Sequence, residues 1–175
     1  MLYQAIQAIQ QSPYNNLQIV IYSGSDKTAK QILDHVKDRF GLNILSVNLS
    51  FVHLPSKGKS LKPDLYPSLT MLWQAFASVR VCFEALMICP CDVFIDTMGV
   101  GYAYPLVKLF FGPQIYSYTH YPLVQYDMMR DVINGVSQFN NRKEIAESFV
   151  KSNLKKVYYA ALTYLYSFCG WVATD

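Results

Sequence analysis

Asp92-Val93-Phe94-Ile95-Asp96-Thr97-Met98-Gly99-Val100-Gly101-Tyr102 is the stretch whose reading decides the fold. Val93 to Ile95 is a short apolar run that ends in Asp96 and a glycine-bearing turn, the pattern of a buried strand that delivers polar groups to a sheet edge. Pro105 suits the first turn of a helix whose apolar body is Val107, Leu109, Phe110 and Phe111, and Gly112-Pro113 stops it. A second strand, Gln114 to Thr119, then runs into His120-Tyr121-Pro122. Strand, crossover helix and strand make a βαβ unit, and open α/β sheets place their ligands outside the carboxyl ends of the strands. Asp96 and His120 are therefore expected to share one crevice.

The rest of the composition narrows the class. The chain has 175 residues, 52% hydrophobic and 15% charged, enough to bury one good core and too few for two large domains. A formal charge of +3 with no block of like charges gives no electrostatic footprint for nucleic acid. Cys82, Cys89, Cys91 and Cys169 lack paired metal-ligand spacing, so reduced, buried thiols in reducing surroundings are expected, with no metal.

Outward from the central stretch, the pattern alternates strand and helix. Leu2, Ala5, Ile6 and Ile9 fall at helical spacing directly after Met1, with no signal-peptide features, which suggests a chain that begins inside an element. Leu17 to Tyr22 reads as a strand, and Ser23-Gly24-Ser25-Asp26 as the turn into a helix. Lys27 and Thr28 lack the second glycine of a phosphate loop, so an ordinary turn is the better reading. Ala29, Ile32, Leu33, Val36 and Phe40 give the helix its apolar face, and Gly41 ends it. Ile44 to Leu54 is a second strand region, and Pro55 to Pro67, with Lys57, Lys59 and Lys62, an exposed basic connection. Leu69 to Met87 is a long helix, apolar nearly all round; Gln74, Arg80 and Glu84 favour a buried crossover over a membrane span. Val124 to Val132 reads as a short helix. Val157 to Ala173 is uncharged, carries Tyr158, Tyr159, Tyr164, Tyr166 and Trp171, and follows Lys151, Lys155 and Lys156. Aromatics beside a basic cluster suit a bilayer interface, with Leu162 and Leu165 among the positions facing lipid; packing on the sheet is the alternative.

The words Phe94-Ile95-Asp96-Thr97-Met98-Gly99, Tyr102 to Pro105 and Ser117-Tyr118-Thr119-His120-Tyr121-Pro122, followed by Asp127-Met128, carry a resemblance. So do Val20-Ile21-Tyr22-Ser23-Gly24, Leu65 to Thr70, Trp73-Gln74 and Phe83 to Met87. Together they resemble the dolichol-linked-oligosaccharide alpha-1,2-mannosyltransferases of asparagine-linked glycosylation, family-4 glycosyltransferases of GT-B fold. Gly101 departs from the family's usual pattern.

The resemblance implies an α/β fold, a Rossmann-like three-layer parallel sheet forming the incomplete N-terminal half of a GT-B enzyme. Residues 1–153 would be a truncated acceptor-side domain and 154–173 an apolar aromatic helix at the membrane interface. It implies transfer of mannose from GDP-mannose to dolichol-diphosphate-linked Man3GlcNAc2 and Man4GlcNAc2. The donor pocket would lie in a domain that these residues do not include, so the chain alone is expected to hold no GDP-mannose and to transfer nothing. By position, His120 is the candidate catalytic residue, and Asp96, Met98, Gly99, Tyr121 and Asp127 are acceptor-binding candidates. An imidazole with an unperturbed pKa of about 6.5 can bond a sugar hydroxyl or help its proton leave. Asp96 has a plainer alternative, capping the helix that follows. Expected partners are the dolichol-linked oligosaccharide, the cytosolic face of the endoplasmic reticulum membrane and other mannosyltransferases of the pathway. A second class of function is a non-catalytic, membrane-associated binding fragment of the same fold.

Overall fold

The structure, a computed structural model, describes residues 2–13, 16–54, 59–118, 124, 126–135 and 149–174. In chain order its elements are α1 (Leu2–Gln11), β1 (Ile19–Ser23), α2 (Ala29–Phe40), β2 (Leu49–His53), α3 (Thr70–Ile88), β3 (Val93–Asp96), α4 (Tyr104–Phe111), β4 (Gln114–Ser117), α5 (Tyr126–Ile133) and α6 (Phe149–Ala173). Single 3-10 turns at Pro63–Leu65 and Gly101–Ala103 lead into α3 and α4.

Local chemistry explains the boundaries. Thr28 and Gln31 exchange side-chain and backbone hydrogen bonds in a capping box at the start of α2. Gly41 and Gly112, at φ 66° and 73°, close α2 and α4 in the left-handed conformation that glycine adopts without a Cβ penalty. The amides before α2 are used internally, Ser25 N donating to Ser23 Oγ and Lys27 N to Ser25 Oγ. That is the ordinary strand-to-helix turn the sequence favours.

Both strand pairs are parallel, as expected for crossovers. Ile19 to Ser23 stand in register with Leu49 to His53, and Val93 to Asp96 with Gln114 to Ser117. The expected single sheet is not formed: among the described residues the strands make two separate two-stranded ladders. A side chain joins them instead, the Tyr22 hydroxyl donating to the Cys89 carbonyl at 2.5 Å while its ring packs on the core beneath β3 and β4. The architecture is thus mixed helix and strand with small parallel sheets. The second strand region is also shorter than its apolar run, because Ile44 is buried ahead of β2 rather than within it.

Three apolar clusters hold these elements. Ile6, Ile21, Val36 and Ile44 gather under β1 and β2. Cys82, Leu86, Phe94, Ala103, Tyr104, Val107 and Ile115 fill the space between α3, α4 and the second ladder, and Ala173 from the end of α6 joins them. Tyr102, Leu162 and Cys169 make the third, with Tyr158 and Tyr166 packed against it.

Two helices differ from their sequence reading. α3 buries Ala77, Ser78, Cys82, Ala85 and Leu86 along one face, while Trp73, Phe76, Met87 and Ile88 on the other are exposed. It is long and apolar enough to cross a membrane by length and composition, and the buried-crossover reading holds for its inner face only. α6 begins at Phe149, eight residues before the apolar run at Val157, and is two-sided. Tyr159 and Leu162 are buried, whereas Val150, Leu154, Val157, Tyr164, Phe168 and Trp171 are exposed at helical spacing on the opposite side. Leu162, expected to face lipid, instead packs in the third cluster.

Candidate functional site

The carboxyl end of β3 is built around one buried carboxylate. Asp96 is 4% exposed. Its Oδ1 accepts from Met98 N at 2.7 Å and Gly99 N at 3.2 Å, and its Oδ2 from Val100 N at 2.6 Å. The Tyr104 hydroxyl donates to the same Oδ2 at 2.5 Å. Three backbone donors and a phenol satisfy a charge that burial would otherwise make costly. Gly99, at φ 80°, supplies the positive dihedral that lets the chain fold around the carboxylate.

Tyr104 ties the two strand ends together. Its oxygen lies 2.8 Å from Ser117 Oγ, and Ser117 is the register partner of Asp96 on β4. The phenol has one proton; with that on the carboxylate, the serine hydroxyl supplies the second bond. Burial, then the Asp96 carboxylate, push the Tyr104 phenol far above its usual range, against a smaller opposing effect of Ser117. The Cys82 thiol behind β3 is pushed up to about 12, mainly by burial and further by Asp96. It is therefore an uncharged thiol at neutral pH.

α6 closes the turn from the far side. The Tyr166 hydroxyl donates to the Gly99 carbonyl at 3.3 Å, and its ring stands edge-on to Tyr102 with centroids 5.4 Å apart. A Cβ on Gly101 would lie 2.7 Å from Tyr166 Cε2, so a side chain there would have to displace the ring. Tyr102 donates to the Leu162 carbonyl at 3.0 Å, and Leu72 N donates to the Tyr158 hydroxyl at 3.1 Å. Burial raises the pKa values of both Tyr102 and Tyr158, so neither phenol ionises near neutral pH.

The candidate residues fall into three groups. Asp96, Met98 and Gly99 share the turn: Asp96 is buried and points inward, Met98 is 75% exposed, and Gly99 offers its carbonyl to Tyr166. Asp127 sits apart in the first turn of α5, ion-paired at 3.1 Å with Arg130, and among the described residues no hydrogen bond or ion pair joins it to the turn. His120 and Tyr121 lie outside the described residues; Tyr118, just before them, donates its N–H to the Asp96 carbonyl at 2.8 Å. Sequence reasoning missed Tyr104, Ser117 and Tyr166. Tyr104, just before Pro105, and Ser117, at the end of a strand, had positional signals; the contact of Tyr166 with Gly101 had none. Among the described residues no three His, Cys, Asp or Glu side chains gather as a metal site would require.

A family model described as ALG11 mannosyltransferase N-terminus matches residues 1–174. The chain belongs to this family. Among ALG11 relatives, proteins named GDP-Man:Man(3)GlcNAc(2)-PP-Dol alpha-1,2-mannosyltransferase are 35% identical in Xenopus tropicalis over 99% of this chain and 34% of the relative. The one in Homo sapiens is 35% identical over 97% of this chain and 34% of its own length, and that in Caenorhabditis elegans 34% over 98% and 36%. The chain therefore spans about a third of the length of the curated ALG11 relatives it matches. No solved structure matches it.

Proposed function

We propose that this chain is the acceptor-side portion of an alpha-1,2-mannosyltransferase that lengthens dolichol-diphosphate-linked Man3GlcNAc2 and Man4GlcNAc2 with mannose from GDP-mannose. The observation that carries this reading is the family match over residues 1–174 together with relatives of that printed name. In the reaction an acceptor hydroxyl oxygen bonds to the anomeric carbon of mannose, the bond from that carbon to the diphosphate oxygen breaks, and the hydroxyl proton departs. His120 takes the catalytic role, bonding the reacting hydroxyl or easing its proton away, with Tyr121, Met98 and Gly99 on the acceptor. Asp96 serves the acceptor through the turn it organises, since its oxygens are already engaged. Asp127 is the more remote acceptor contact. GDP-mannose is not held by these residues alone.

The membrane reading rests on α6. Its exposed stripe of Val150, Leu154, Val157, Tyr164, Phe168 and Trp171 joins apolar and aromatic side chains along one face, a combination suited to the interface of a bilayer, while Lys155 lies over the buried Tyr159 ring on the other side. Residues 1–153 then carry the acceptor side and 154–173 the contact with the cytosolic face of the endoplasmic reticulum, where other mannosyltransferases of the pathway are partners. The test is a chimera in which this chain replaces the matching third of the Xenopus tropicalis relative, assayed for mannose transfer from GDP-mannose to dolichol-linked Man3GlcNAc2. Transfer by the folded chimera is expected. A folded chimera that binds acceptor but transfers nothing would favour the non-catalytic reading.

A further inference from the structure

We infer that Tyr166 is a positioning residue of the acceptor site, holding the Met98–Gly101 turn at the carboxyl edge of β3 from outside while Asp96 holds it from within. The inference rests on the acceptor-side reading above, and it deepens that reading by assigning to α6 a part in the site itself.

The turn's inward side is fully specified. The N–H groups of Met98, Gly99 and Val100 all point to Asp96, which fixes the backbone relative to β3. The outward side meets α6. Gly99 O accepts from the Tyr166 hydroxyl, the Gly101 Cα faces the Tyr166 ring with no room for a methyl group, and Tyr102 meets the same ring edge-on. Tyr102 in turn donates to the Leu162 carbonyl, so the 3-10 turn after Gly99 is bolted to α6 at two points one helical turn apart. The absence of a side chain at Gly101 lets the ring come this close, because a Cβ 2.7 Å from Cε2 could not be accommodated without a shift. The exposed Met98 side chain leaves this turn toward solvent, so its position depends on both anchors.

Two variants probe the contact. Tyr166→Phe removes only the hydroxyl; Tyr164→Phe, on an exposed residue of the same helix, is the control. Backbone amide exchange is read on the purified chain at Met98, Gly99 and Val100, with Ile21 in β1 as an internal reference. Affinity for phytanyl-diphosphate-linked Man3GlcNAc2 is read in detergent micelles. Tyr166→Phe is expected to speed exchange at the three turn amides by roughly 2- to 10-fold, the effect of one modest hydrogen bond, with Ile21 unchanged and acceptor affinity lowered by a similar factor. Tyr164→Phe should change neither. Gly101→Ala should perturb the same amides, and its effect should shrink in a Tyr166→Leu background, since the two changes act on one contact. Equal exchange in Tyr166→Phe and Tyr164→Phe would overturn the positioning role. So would faster exchange with wild-type acceptor affinity. If the unaltered chain binds no acceptor, the acceptor-side reading falls, and the role of Tyr166 at the acceptor falls with it, while the exchange data still report whether it holds the turn.

Discussion

Replacing Asp96 by Asn tests whether the β3 turn is held by a charge rather than by a shape. The amide keeps the size and one acceptor oxygen, but its NH2 must face either Met98 N and Gly99 N or Val100 N, all of them donors. At least one backbone N–H loses its partner in a site that is 4% exposed, at a cost of about 1–3 kcal/mol, and the remaining bonds lose charge assistance worth roughly another 1 kcal/mol. Relief of the desolvation of a buried carboxylate offsets part of this. A net loss of about 1.5–3 kcal/mol is expected, which for a chain of this size lowers Tm by roughly 3 to 12 °C. Tyr104→Phe removes one donor and leaves three amides on the carboxylate, so it should cost less, about 1–2 kcal/mol. Urea unfolding followed by circular dichroism measures both; the midpoint should fall with an unchanged slope. A loss under about 0.5 kcal/mol for Asp96→Asn, or a larger loss for Tyr104→Phe, would refute the assignment.

Alkaline pH should destabilise the fold early. The Cys82 thiol is raised from 9.0 to about 12 by burial, so the unfolded chain releases that proton first; its stabilising effect is whole below pH 9 and is lost as pH rises toward 12. The phenols of Tyr22, Tyr102 and Tyr104, also raised by burial, add to the fall above pH 10. Urea midpoints should drop between pH 9 and 10, and less so in Cys82→Ala; a flat profile to pH 10.5 would contradict this. On α6, Trp171→Asp should release a folded chain from vesicles carrying anionic lipid, since that side chain is 81% exposed, whereas Leu162→Asp should unfold it. Unchanged pelleting of a folded Trp171→Asp chain would count against the interfacial stripe. In the active chimera, His120→Ala should lower transfer by about 10² to 10⁴-fold, the range for a group that assists proton transfer, and full activity would remove His120 from the mechanism.

Periodicity and punctuation made the elements legible: Pro105, Gly41 and Gly112 mark helix ends where the structure has them, while the cap expected at Ser23 to Asp26 lies later, at Thr28. The two parallel pairings followed from strand and helix alternation, as did the adjacency of the two strand ends, seen in the bond from Tyr118 N to Asp96 O. What was not legible depends on contacts between distant residues. The apolar runs do not say whether they pair into one ladder or two, nor that the two ladders meet through Tyr22 and Cys89, 67 positions apart. The two-sidedness of α6 was hidden because its tyrosines look alike in sequence, yet Tyr158, Tyr159 and Tyr166 turn inward while Tyr164 faces out. At the site, the Asp96 turn was visible as a strand end with glycines. Its inward use of every carboxylate oxygen was not, because that depends on Tyr104 returning from the next helix.

The most direct test of the acceptor-side reading is equilibrium binding of phytanyl-diphosphate-linked Man3GlcNAc2 to the purified chain in detergent micelles, with competition by free Man3GlcNAc2 and by GDP-mannose. Saturable binding that the oligosaccharide displaces, that GDP-mannose leaves unchanged and that Tyr121→Ala weakens is the predicted result. No saturable binding by the folded chain, or displacement by GDP-mannose alone, would contradict it.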